Sequence, residues 1–186
     1  MELWDLYSSD REKLGKTMVR GDVQPEGTYR TVVHVCLFNT EGKMLIQQRQ
    51  PFKSGWSNLW DVTVGGSAVS GDSSRDAAER ELFEELGIKQ SFADLRPALT
   101  VHFDWGFDDF YVLESDVDLS SVQLQYEEVQ AVRWADMEEI VSMLSDGSFI
   151  PYHKSFIELL FLLRKQRSVR TGSDTTVPQP RPTDMQ

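Results

Sequence analysis

Residues 66–88 leave the backbone few choices. The stretch Gly66-Ser67-Ala68-Val69-Ser70-Gly71-Asp72 is polar and glycine-punctuated, as a loop requires. It runs into Ser73-x-x-Asp76, which resembles a capping box, and the next thirteen residues contain neither Gly nor Pro until Gly87. A glycine there suits the C′ position, so the pattern predicts a helix over 73–86. Ala78, Leu82 and Leu86 fall four apart and form an apolar stripe for packing on a sheet. Glu81, Glu84 and Glu85 follow i, i+3, i+4 spacing on a neighbouring face.

That face is electrostatically expensive. Between Asp72 and Ile88 the chain places six acids (Asp72, Asp76, Glu79, Glu81, Glu84, Glu85) against two bases (Arg75, Arg80). Like charges one turn apart cost roughly 0.2–0.5 kcal/mol per pair on an exposed helix, and more in a less polar surrounding. A divalent cation would turn the repulsion into attraction. Hard oxygen donors without nearby His or Cys select Mg²⁺ or Mn²⁺ over zinc.

The spacing Gly66-x5-Asp72-x7-Arg80-Glu81-Leu82-x-Glu84-Glu85-x-Gly87-Ile88 closely resembles the Nudix box, matching eight of its nine fixed positions. The departure is Asp72, where the box has Glu; the charge is kept on a side chain one methylene shorter. The resemblance implies an α+β fold, an α/β/α sandwich around a mixed sheet, and hydrolysis of a pyrophosphate bond in a nucleoside diphosphate derivative or similar compound. It further implies Glu81, Glu84 and Glu85 as ligands of Mg²⁺ (or Mn²⁺), with the carbonyl of Gly65 as a further candidate. Arg80 would orient a box carboxylate by a charge-assisted hydrogen bond. Candidates for the general base are Glu81 and the pair Glu127/Glu128, which precedes an expected strand. Arg20, Arg30, Gln48 and Arg49 are candidates to meet the phosphates.

Outside the box, Leu3-Trp4-Asp5-Leu6-Tyr7, Arg20-Gly21-Asp22, Leu45-Ile46-Gln47-Gln48-Arg49, Trp56 and Trp60-Asp61 look like the branch related to isopentenyl diphosphate isomerase. That enzyme moves a proton and hydrolyses nothing. Where it carries its cysteine and two histidines this chain has Gly65, Ser67 and Arg30, which argues for hydrolysis. The lone Cys36 reads as a small buried hydrophobe. A Nudix-fold nucleotide sensor is the third reading, disfavoured because all three glutamates are kept.

Around the box, Leu3–Tyr7 and Thr17–Arg20 suggest an N-terminal hairpin, with Asp10–Gly15 as the turn. Strands are expected at 31–38, 43–50, 59–64, 98–102, 110–114 and 129–134, and further helices at 137–144 and 153–165. His34, in an alternating strand, reads as structural. His102, Trp105 and Phe107 fall in a loop-rich stretch and read as core or rim packing, with stacking on a base as the alternative, and Trp4 and Tyr7 are candidates to line a pocket or an interface. The organisation expected is an extension over 1–27, a Nudix domain over 28–165 and a mobile tail over 166–186. With a net charge of −11, nucleic acid and anionic membranes are poor partners, so a small diphosphate is the expected substrate. The N-terminus has no basic, apolar leader, and Phe156–Leu163 is too short to span a bilayer, so a cytoplasmic location is expected. The hairpin is a candidate contact for a homodimer.

Overall fold

The computed structural model describes residues 2–165. The tail expected over 166–186 lies outside them. Two strands, β1 (Leu3–Tyr7) and β2 (Lys13–Val19), pair antiparallel as a separate hairpin. The main sheet is built on β3 (Arg30–Phe38), which runs parallel to β8 (Gly106–Glu114) along its whole length. β7 (Leu99–Phe103) completes that side antiparallel to β8.

On its other edge β3 pairs with β4 (Met44–Arg49) only at Phe38 and Met44. Beyond that point the two strands diverge into a fork. β6 (Val64–Ser67) pairs with β3, whereas β5 (Trp60–Asp61) pairs with β4, whose outer edge is covered by β9 (Val129–Ala135). The sequence pattern predicts one strand over 59–64. The structure breaks it in two, because Val62 and Thr63 cross from one arm of the fork to the other. The Thr63 hydroxyl accepts from the Leu37 amide at 2.9 Å and donates to the Leu45 carbonyl at 2.5 Å, satisfying backbone groups that the divergence leaves unpaired.

Alternation along β3 sends Val33, Val35 and Leu37 to one face, where they meet Ala77, Ala78, Leu82 and Leu86 of α1 (Ser74–Leu86). Cys36 and Phe38 face the other way, against Ile140 and Met143 of α2 (Met137–Asp146) and Ile157 and Leu160 of α3 (Lys154–Lys165). The result is the expected mixed-sheet sandwich with an N-terminal hairpin. Cys36 is fully buried, and burial pushes its thiol far above the ordinary range.

Three expectations need correction. β2 begins at Lys13, so the hairpin turn is shorter than Asp10–Gly15, and Arg11 leaves it with φ 65°. The stretch holding His102, Trp105 and Phe107 is the β7–β8 hairpin rather than a loop, and Phe107 is in the core. β8 starts four residues before the expected 110, since Asp108 and Asp109 conceal the strand pattern. Asp109 is buried because Arg11, 98 positions away, forks onto it, while Thr100 and Ser74 hydroxyls donate to it at 2.6 and 2.5 Å.

Among the described residues no helix is long and apolar enough to cross a membrane.

Candidate active site

The helix that carries the glutamates is fixed at both ends by local chemistry. Ser73 caps it reciprocally with Asp76, and Gly87 closes it in the left-handed conformation at φ 69°. With the apolar stripe seated on the sheet, Glu85 is drawn inward to 5% exposure, and Glu81 lies over β6. A Cβ at Gly66 would stand 2.3 Å from the Glu81 carboxylate, so only glycine leaves room for that side chain. Gly65, one residue earlier, lies under the His34 ring, whose Nδ1 would be 2.6 Å from a Cβ there.

Arg80 gathers the acids. Its guanidinium donates to Asp72 at 3.1 Å, Glu81 at 2.9 Å, Glu84 at 3.1 Å and the Ser67 carbonyl at 3.1 Å. The shorter Asp72 therefore reaches Arg80. Burial works against the arginine's charge, but Glu81 and its neighbours outweigh burial and hold it protonated. Glu85 has no such partner. Its one hydrogen bond comes from the Gln47 amide at 2.9 Å, and burial, reinforced by the charge of Glu81, pushes its carboxyl well above the usual range. Glu81 is also raised, first by burial, with Arg80 opposing. Among the described residues no three acidic, His or Cys side chains already converge as a metal centre.

These residues line a cavity of about 710 Å³ that draws on both faces of the sheet, as the gap in the fork permits. Glu81, Glu84, Glu85, Arg80 and Gly65 all contribute, and Arg20, Arg30, Arg49 and Glu128 stand around them. Arg30 lies between the Trp4 and Phe103 rings, 4.7 and 5.6 Å from their centroids, and donates to Gln24. Arg49 is braced by the Gly55 carbonyl at 3.1 Å, and Glu128 accepts from Lys53 at 2.5 Å. Two sequence candidates are elsewhere. Gln48 turns its amide to the Asn58 carbonyl at 3.1 Å, and Glu127 is exposed outside the cavity.

Sequence reasoning missed the opposite wall. His34, read as structural, stacks on Phe110 and lies 3.5 Å from Asp108, and both His34 and Asp108 line the cavity. Asp61 is buried there, accepts from the Tyr152 hydroxyl at 3.0 Å and is raised by desolvation. The parallel register of β8 on β3, β5 in the fork and the segment before α3 together assemble these four, and no local pattern announces it.

The N-terminal hairpin reaches the same place. Glu2 and Arg20 pair at 2.8 Å on the cavity wall. Asp5 accepts from the Ser70 hydroxyl at 2.7 Å and the Gly71 amide at 3.1 Å, fastening the loop that leads into α1.

Comparison with known proteins agrees with this geometry. The NUDIX domain model matches residues 28–160. An uncharacterized Nudix hydrolase of Listeria monocytogenes is 44% identical over 91% of this chain and 99% of its own length. An isopentenyl-diphosphate Delta-isomerase of Shigella flexneri is 27% identical over 61% of this chain and 68% of its own. A crystal structure from Deinococcus radiodurans superposes with a TM-score of 0.68 at 26% identity, covering 88% of this chain and all of that one. With its box helix, forked mixed sheet and these relatives, the chain belongs to the Nudix hydrolase family, whose members are in general Mg²⁺-dependent enzymes that split diphosphate linkages.

Proposed function

We propose that this chain hydrolyses the pyrophosphate bond of a small organic diphosphate, a nucleoside diphosphate derivative or a compound like it, with Mg²⁺ or Mn²⁺ held by Glu81, Glu84, Glu85 and the carbonyl of Gly65. The observation that carries this reading is Glu85, a carboxylate buried beside Glu81 with a single amide for company. A buried acid so poorly compensated is costly unless a cation accompanies it. The all-oxygen donor set fits a hard divalent ion. Such an ion, when bound, neutralises phosphate charge and lowers the pKa of attacking water.

The chain's own residues supply the rest. Arg80 restrains Glu81 and Glu84 by charge-assisted hydrogen bonds at the cavity wall. Arg20, Arg30 and Arg49 present guanidinium groups to the anionic substrate, and the ring pair around Arg30 holds it without a carboxylate partner. Glu81 and Glu128 line the cavity, which supports them as the candidates to take a proton from water over Glu127, which is exposed outside it. Isomerase chemistry finds no support, because Cys36 is sealed in the core outside the cavity lining and Gly65 has no side chain to exchange a proton. A net charge of −11 supports a free small molecule over nucleic acid as the substrate.

The test offers purified protein with Mg²⁺ a panel of nucleoside diphosphate sugars, dinucleotides, nucleoside triphosphates and isoprenoid diphosphates. Release of two phosphorylated fragments, or of phosphate from a terminal position, supports the proposal. A shifted double bond without cleavage, or binding without turnover of any member, rejects it.

A further inference from the structure

The loop joining β4 to β5 is held in a shape that the sheet does not require. Trp56 and Asn58 both take left-handed backbone angles, φ 52° and 62°, which bulky residues avoid. Strain of this kind persists only where the surroundings over-determine it, and it gathers at functional sites. Here the restraint is visible. Arg49 donates to the Gly55 carbonyl at 3.1 Å, Gln48 to the Asn58 carbonyl at 3.1 Å, and Gln130 to the Asn58 side chain at 2.7 Å.

The effect is to hold an indole in water. Trp56 lines the cavity yet keeps 55% of its surface exposed, so it stands at the mouth. Phe52, on the same loop and 58% exposed, packs at 5.7 Å on Tyr126, which is 71% exposed and follows the cavity-lining Gln125. The interior of the cavity is walled mainly by charged side chains, whereas its mouth carries the Trp56 indole. Such a gradient suits a ligand with a charged head and an apolar or flat remainder.

We propose that Trp56 is a specificity residue that packs against the organic group of the substrate, so that the favoured substrate is a diphosphate bearing a flat or apolar group rather than a small polar one. This rests on the reading that the cavity receives a diphosphate. Packing against an indole face is selective for shape and weakly dependent on charge, so it adds discrimination without competing with the phosphate contacts.

The full chain with Mg²⁺ is titrated calorimetrically with three non-cleavable probes: methylenediphosphonate, its adenosine ester and its geranyl ester. The wild type is expected to bind at least one ester about tenfold or more tightly than the bare diphosphonate. Trp56→Gly is expected to erase that advantage while changing the bare probe less than about twofold, with an unchanged or higher melting temperature, since glycine takes φ 52° without strain. Trp56→Leu separates the two chemistries: it spares a geranyl preference and loses an adenosine preference. Esters that bind no better than the bare probe overturn the proposal, as does an advantage that survives both substitutions. So does a change in oligomeric state, read by light scattering, that accompanies Trp56→Gly with affinities unaltered, because the aromatic patch is then a contact between copies. If the bare probe itself fails to bind with Mg²⁺, the diphosphate reading falls first, and the outcome is distinguishable from failure at Trp56 alone.

Discussion

Two carboxylates are buried in this molecule under opposite terms. Asp109 is fully enclosed and fully answered, by the Arg11 guanidinium and by hydroxyls from Thr100 and Ser74. Glu85, nearly as deep, has Gln47 on one side and the like charge of Glu81 on the other. The first arrangement pins the N-terminal hairpin to the sheet. The second leaves an electrostatic debt at the wall of a cavity. Burial alone does not nominate a functional acid; burial without compensation does.

Substitutions at the two sites should therefore have opposite signatures. Arg11→Met removes the cation from Asp109 and is expected to cost about 2–3 kcal/mol in urea denaturation, less than for a wholly buried pair because Arg11 is 36% exposed and two hydroxyl donors remain. Turnover per folded molecule should stay near that of the wild type. Glu85→Gln should do the reverse, lowering kcat at least about 10²-fold, about 2.7 kcal/mol of barrier, with stability unchanged or improved. If Glu85→Gln destabilises the fold and spares turnover, the distinction between the two acids collapses.

Metal addition sharpens the contrast. Mg²⁺ at 100 times its Kd should stabilise the wild type by about 2.7 kcal/mol, read as a rise in melting temperature, and should do much less for Glu85→Gln. In chelator, pH supplies a further measure. Because the folded-state pKa of Glu85 is raised, its ionised form costs stability at neutral pH. Lowering pH through that pKa protonates it and recovers the loss, until the ordinary carboxylate range of the unfolded chain is reached and the gain stops. The wild type should gain more stability on acidification over that window than Glu85→Gln, as urea titrations at several pH values will show. Smallest is Ser74→Ala, which removes one of the donors to Asp109 and should cost about 1 kcal/mol in the same assay, with no effect on metal binding.

The neighbouring pair Asp108 and Asp109 shows where sequence reading stops. They are adjacent in β8, so strand alternation sends one to the cavity and the other under α1. Nothing local says which is which, because the answer depends on Arg11 arriving from the hairpin and on the register of β8 against β3. The box helix is the opposite case. Its caps, stripe and acid spacing are all short-range, and its observed span, Ser74–Leu86, lies within one residue of the span read from sequence. The sandwich follows from hydrophobic alternation as well. The fork does not, since it depends on one threonine bridging two strands, and the His34, Asp61 and Tyr152 wall is hidden because its members come from distant parts of the chain. Gln48 and Glu127 look equivalent to Arg49 and Glu128 in sequence, yet both lie outside the cavity.

The placement of Glu2 on the cavity wall has a practical corollary. An affinity handle joined close to Glu2 would sit beside that wall and near the loop that Asp5 fastens. A preparation tagged in this way risks being scored as inert when it is only obstructed. Comparing turnover before and after removal of the handle would separate the two.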